Sequence, residues 1–241
     1  MQFKHVHRFI LGVDVPVLRL EESIAFLEAS GGSLVRWGDG ESAILRGRSI
    51  PFQDWNYELS GRLASILYKK PPRILLGIPV AALRGSICQH FKKPTWIPTR
   101  LVFSSAIQQH QIYADAFMFR EEPGRALSVL KSAIKKARLL VIVSSNPLDR
   151  DYFSDLSCEI IHIPIPPKNA FSEFSKIAYQ VRSLTGGSRG NSMKCKTVVL
   201  FSAGPAAKAL VADLADEVRC YDVGHLFHFQ RNPAKRNVWA G

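Results

Sequence analysis

Short, continuously apolar runs alternate with amphipathic stretches along most of this chain. Residues 73–78, 139–143, 159–164, 197–201 and 218–222 read as strands, with smaller ones at 33–37 and 116–119. Runs that stay apolar at successive positions suit strands covered on both faces. Between them, apolar residues recur at helical spacing: Leu59, Leu63, Ile66 and Leu67 within 56–68, and Ala170, Phe174, Ile177, Ala178 and Val181 within 169–184. The same spacing predicts helices over 19–30, 80–91, 101–113, 123–136 and 205–214, and a short one over 41–46. Pro123 and Pro205 fit the first helical turn, where no backbone N–H is needed. Residues 95–100 read as a loop. Strands alternating with helices predict an α/β fold: a single Rossmann-like domain over 1–241, its sheet mostly parallel with helices on both faces. A Gly- and Ser-rich loop is expected near 185–195 and an irregular basic tail over 229–241.

In such sheets, ligands sit beyond the C-terminal ends of the strands. Four strand ends here are polar: Asp39-Gly40-Glu41, Ser144-Ser145-Asn146, Ser202-Ala203-Gly204 and Asp222-Val223-Gly224-His225. If the backbone is extended at 39–41, Asp39 and Glu41 point the same way. Two carboxylates aimed at one point suit a hard divalent cation such as Mg²⁺ or Mn²⁺, whose remaining positions a substrate diphosphate commonly fills. The plainer reading is a polar turn whose acids cap the following helix.

Ser202 to Lys208 joins a strand to a helix, and the helix start is an anion site in principle. Ser202, Gly204 and Lys208 would supply a hydroxyl, a tight turn and a positive charge; an ordinary strand-to-helix turn is the competing reading. Asp222 could hold a ribose, support the metal or orient His225, and His225 could bind phosphate or transfer a proton. Arg36 and Arg100 could offset phosphate charge bidentately. Asn146 before Pro147 fits a turn as well as a ligand contact. Trp37, Trp55 and Trp96 could stack on a base, with core packing as the alternative.

Composition narrows the setting. At 46% hydrophobic and 22% charged over 241 residues, the chain is of ordinary globular make-up. It carries no apolar run of about 18 residues, the length that spans a bilayer, and its first residues do not read as a secretory signal. Cys88, Cys158, Cys195 and Cys220 are scattered without zinc spacing and read as free thiols in a reducing cytoplasm. The net charge of +12 predicts attraction to polyanions, including nucleotide diphosphates and an anionic membrane surface at the inner face. A nucleic-acid-binding role has only that charge behind it, with no recognition-helix motif or basic–aromatic interleaving.

Arg36-Trp37-Gly38-Asp39-Gly40-Glu41 resembles the R-F/Y-G-D-G-E signature of the GT-D-type glycosyltransferases. The likeness continues, in order, through Phe52-Gln53, Ile97-Pro98-Thr99-Arg100, Ser144 to Pro147, Ile163-Pro164 with Asn169-Ala170-Phe171, Ser202 to Lys208, and Asp222 to His225. The resemblance implies transfer of a hexose from a UDP-sugar to a glycan, lipid-linked or protein acceptor. It also implies that Asp39 and Glu41 engage the metal, Mn²⁺ or Mg²⁺, and the donor diphosphate. In the family pattern acidic residues follow the histidine, one of them a candidate base. Here Leu226-Phe227-His228-Phe229 follows, with no carboxylate. His228 could substitute; otherwise the chain is a sugar-nucleotide-binding protein with weak or no catalysis.

Overall fold

The computed structural model describes residues 3–90, 96–186 and 197–232. Within them eight strands form one sheet: β1 (Val17–Leu18), β2 (Ser33–Arg36), β3 (Ile74–Ile78), β4 (Tyr113–Asp115), β5 (Leu139–Ser144), β6 (Glu159–Pro164), β7 (Thr197–Ser202) and β8 (Arg219–Asp222). Their order across the sheet is β1-β4-β3-β2-β8-β7-β5-β6, and each recorded pairing is parallel. The helices are α1 (Phe3–Leu11), α2 (Leu20–Ser30), α3 (Asp39–Leu45), α4 (Tyr57–Lys69), α5 (Val80–Leu83), α6 (Trp96–Ala106), α7 (Met118–Glu121), α8 (Pro123–Ile134), α9 (Phe174–Thr185), α10 (Pro205–Leu214) and α11 (Leu226–Arg231). Short 3₁₀ turns occupy Ile87–His90, Pro147–Phe153 and Ala170–Glu173.

The apolar runs are continuous because both faces of the sheet are covered. Along β7, Val199 and Phe201 point to one core, where Ile44, Leu63, Phe103, Val181 and Leu210 from α3, α4, α6, α9 and α10 meet. Val198 and Leu200 point to the other, with Ile24 and Leu130 from α2 and α8, Phe153 from the 3₁₀ turn and Phe227 from α11. The two-residue period of a strand thus feeds two separate cores.

The parallel sheet and most elements agree with the hydrophobic pattern. The helix expected over 101–113 stops at Ala106, and Tyr113 opens β4 instead. Four further segments differ. Residues 96–100 open α6 rather than forming a loop; Pro98 sits in its first turn, where amides have no helical partner. Residues 116–119 are apolar because Phe119 is buried under the sheet, not because they pair; the strand is β4 just before them. The helix after β3 stops at Leu83 and is followed by the 3₁₀ turn. The tail is helical through Arg231, because Leu226, Phe227 and Phe229 bury against the sheet. The expected loop at 185–195 falls almost wholly outside the described residues, as do residues 233–241. Among the described residues, no helix is long and apolar enough to cross a membrane.

Arg100 has a structural role. It is 0% exposed, and its guanidinium donates to five backbone carbonyls: Phe9, Ile10, Ala82, Arg84 and Gly85. With the Arg8 bond to the Ile107 carbonyl, this locks α1 onto the loop after α5 and onto α6. The sequence reading of Arg100 as a phosphate contact is therefore corrected: every N–H it has is already given to the backbone. Replacing it by methionine should leave those carbonyls without donors and lower unfolding stability by about 3 kcal/mol or more. A denaturant titration measures this, and nucleotide affinity in the folded fraction should stay unchanged.

Candidate active site

The chain leaves β7 toward the face that carries α10 and leaves β8 toward the face that carries α11. Neighbouring strands whose connections part in opposite directions open a crevice at their C-terminal ends. This crevice holds a cavity of about 210 Å³. Its walls include Ser202, Ala203, Gly204, Gly224, His225 and His228, and Phe52, Ser145, Asp149 and Arg231 also line it. The volume is below the roughly 300 Å³ at which pockets for whole drug-sized ligands begin. It suits part of a large ligand.

Behind the wall lies a buried group of charges. The Lys208 ammonium donates to Glu41 Oε1 at 2.7 Å, to Asp222 Oδ2 at 3.0 Å and to the Gly204 carbonyl at 3.1 Å. Lys208 and Glu41 are 4% and 7% exposed, and Asp222 is 0% exposed. Burial opposes the charge on Lys208, but Asp222 and Glu41 outweigh it and hold the ammonium above its ordinary pKa. Asp222 also accepts the Arg36 amide on Oδ2 (3.0 Å) and the Gly224 amide on Oδ1 (3.0 Å). The Arg36 guanidinium donates to the carbonyls of Asp222 and Ala116, both at 2.8 Å, and lies over the Phe119 ring. The sequence had Lys208 and Arg36 reaching for phosphate. The structure gives both to carboxylates and carbonyls behind the crevice.

The expectation that Asp39 and Glu41 point the same way fails. Both lie in the first turn of α3, where residues two apart are rotated by about 200°. Glu41 turns inward: Oε1 takes Lys208 and Oε2 accepts the Gly38 amide at 2.8 Å, capping the helix start. Asp39 is exposed and outside the cavity lining; among the described residues its Oδ1 accepts the adjacent Gly40 amide at 3.0 Å, and it lies within electrostatic reach of Arg120. Among the described residues, no group of three or more His, Cys, Asp or Glu side chains is arranged to hold a metal. Asp39 fits a divalent cation as a single carboxylate ligand. Glu41 does not, because the Lys208 ammonium already fills the cation position between it and Asp222.

Two glycines fix the walls. Gly204, at φ +56°, precedes α10, and a Cβ there would meet the Phe52 ring at 2.9 Å. Phe52 is held in place by its neighbours: its carbonyl accepts the Asn169 amide, while Asp54 and Asn169 exchange two further bonds at 2.7 and 2.8 Å. Gly224, at φ +51°, leaves room for the Arg36 guanidinium, and its carbonyl accepts from Ser202 Oγ at 2.7 Å. Ser202 therefore lines the crevice as predicted, with its hydroxyl proton given to Gly224.

His225 stands at the crevice mouth, exposed at one edge and hemmed in by the rings of Phe52, Phe229 and His228 at 5.6, 6.0 and 6.4 Å. Loss of water around the ring, and then the nearby Arg36 and Lys208 cations, push its pKa down to about 4. His228 is half-buried and shares the wall. Asn146 is not in the lining; its side chain caps the 3₁₀ turn by accepting the Leu148 amide at 3.0 Å. Trp37 is 1% exposed and packs edge-on to Phe103 in the core, 5.9 Å between ring centres. The sequence reading missed Asp149 and Arg231, which line the crevice as an ion pair. The only signal for Arg231 was its place one helical turn beyond the two histidines, in a segment that reads as tail.

Lys208→Met should leave two buried carboxylates facing each other and cost about 3–5 kcal/mol, measured by chemical denaturation. His225 should stay neutral across about pH 5–8, seen as a flat imidazole resonance in a proton NMR titration. Its lowered pKa means that its contribution to stability is complete above 6.5 and is lost as pH falls through about 4.

Comparison with known proteins agrees with this fold. The chain is 29% identical over 230 residues to the probable glycosyl transferase Gly of Streptococcus gordonii, an alignment covering 88% of this chain and 32% of that protein. It is 26% identical to glycosyltransferase GlyD of Streptococcus pneumoniae serotype 4, covering 93% of this chain and 29% of that protein. It thus spans about a third of the length of these curated relatives. Among solved structures it resembles a new glycosyltransferase from Streptococcus sanguinis, with TM-score 0.71 and 27% identity over 90% of this chain and 85% of that one. It also resembles the domain of unknown function 1792, described as having a distinct glycosyltransferase fold, with TM-score 0.72 and 24% identity over 90% and 82% of the two chains. The Glycosyltransferase GT-D fold family matches residues 34–232, most of the chain, and this protein belongs to that family.

Proposed function

We propose that the chain transfers a hexose from a UDP-sugar to a hydroxyl of a glycan, lipid-linked or protein acceptor, with a divalent cation at Asp39. The observation that carries this reading is the crevice itself. In a chain of this family it lies at the C-terminal ends of β7 and β8, against the N-terminus of α10 and two histidines. Its size suits the diphosphate and sugar, with the base lying outside. A cation on Asp39 would be Mn²⁺ or Mg²⁺ and would offset charge on the departing diphosphate.

The chain's own groups have separable parts. The N-terminus of α10 faces negative charge favourably. His225, with a pKa near 4, is too weakly basic to take a proton at neutral pH and serves as a neutral hydrogen-bonding group. His228 is the base candidate that remains on the wall, and it would accept the acceptor's hydroxyl proton as that oxygen bonds to the anomeric carbon. Glu41 and Asp222 hold the wall in place from behind.

A panel of UDP-sugars, assayed for hydrolysis and transfer with and without Mn²⁺, tests the reading. The parent should turn over at least one donor in a metal-dependent way, and Asp39→Asn should lower that turnover by about a hundredfold or more with the fold intact. Metal-dependent UDP binding without turnover of any donor would instead favour a binding protein. Turnover equal in the parent and Asp39→Asn would remove the metal assignment.

A further inference from the structure

The cations nominated by the sequence do not reach the crevice. Arg100 is buried on five carbonyls, Lys208 lies between two carboxylates, and Arg36 is bound to the carbonyls of Asp222 and Ala116. Arg231 is different. It ends α11, lines the cavity, and keeps its side chain 29% exposed. One of its nitrogens, Nη1, is ion-paired to Asp149, whose side chain is 3% exposed. Nε and Nη2 have no hydrogen-bond acceptor among the described residues. Asp149 is itself fixed by its place in the 3₁₀ turn after β5, where its amide bonds back to the Asn146 carbonyl.

We propose that Arg231, aimed by Asp149, is the side chain that grips the donor's phosphate groups. The inference rests on the donor-site reading above and names the contact that reading lacks. A guanidinium has five N–H donors in a planar fork, so one side can stay on Asp149 while the other meets two phosphate oxygens. A lysine ammonium lacks this planar fork and could not offer two parallel N–H donors to phosphate while held by the acid. The Asp149 carboxylate alone would repel phosphate; with Arg231 set between them, the pair presents a cation to the cavity and keeps the acid behind it. Asp149 is thus a positioning residue, and Arg231 makes the contact.

The test compares the intact protein with Arg231→Met and with the double variant Asp149→Asn/Arg231→Met, which leaves no unpaired buried acid. Affinity for UDP is measured by calorimetry and for uridine by ligand-observed NMR, with the unfolding temperature recorded for each. Both variants should bind UDP about tenfold more weakly or worse, since a hydrogen bond to a charged group is lost, while uridine binding is unchanged. The double variant should melt close to the parent. UDP affinity within twofold of the parent in the folded double variant would overturn the proposal, as would an equal loss for uridine and UDP. A parent that binds no UDP at any metal concentration would instead remove the donor site itself.

Discussion

The Lys208 ammonium, shut away from water between Glu41 and Asp222, is the constraint on which the crevice depends. Burying an ion costs several kcal/mol even after a protein relaxes around it, so such a group persists only where opposite charges and hydrogen bonds meet it closely. Here they do: all three ammonium protons have acceptors within 3.1 Å. An apolar trio of similar volume could be as stable. What the charges add is position. Glu41 comes from the start of α3, Lys208 from α10, and Asp222 from the end of β8, so one ammonium ties together the chain leaving β2, β7 and β8. Of these, the ends of β7 and β8 line the cavity. Asp222 then passes the constraint on, accepting the amides of Arg36 and Gly224 and thereby fixing the turn that presents His225.

The same cluster sets the electrostatics in front of it. Arg36 and Lys208 against Glu41 and Asp222 make a formally neutral group, so it supplies little net field to a ligand. It still acts over short range. His225 feels the two cations directly, and with part of its hydration lost to the surrounding rings it is held neutral. A neutral imidazole can donate or accept a hydrogen bond at the mouth without adding charge. The positive charge offered to a ligand comes from elsewhere, in the cavity wall, where the Arg231 side chain is 29% exposed.

Much of the architecture was legible because strand burial on two faces writes itself into the sequence as unbroken apolar runs. β5 and β7 are the clearest instances: each alternates residues between the two cores, and both faces demand apolar side chains. Three of the four polar strand ends named from the sequence do line the crevice, those at Ser145, Ser202 to Gly204 and Gly224 to His225; the end at Asp39 to Glu41 does not. The roles of individual side chains were not legible. Asp39 and Glu41 looked convergent because a two-residue spacing means one face only in an extended backbone; α3 begins a residue or two earlier than its apolar pattern suggests, and the helical turn sends the two acids apart. Arg100, Lys208 and Arg36 looked like phosphate contacts because a basic residue near a strand end carries no mark of whether carbonyls and acids already surround it. Asp149 and Arg231 are 82 residues apart in the chain, and only the sheet order brings them together.

The displacement of roles has a chemical consequence for the family's acidic motif. A cation shared by two carboxylates would be largely neutralised by the protein before any ligand arrived. A cation on Asp39 alone keeps more positive charge and more open coordination positions for phosphate oxygens. Glu41 cannot join it without giving up Lys208, and that would leave an ammonium only 4% exposed short of one partner. In this reading the two acids of the motif divide the labour. Glu41 holds the scaffold shut from within, and Asp39 is left on the exposed side of α3 with its carboxylate open to a cation.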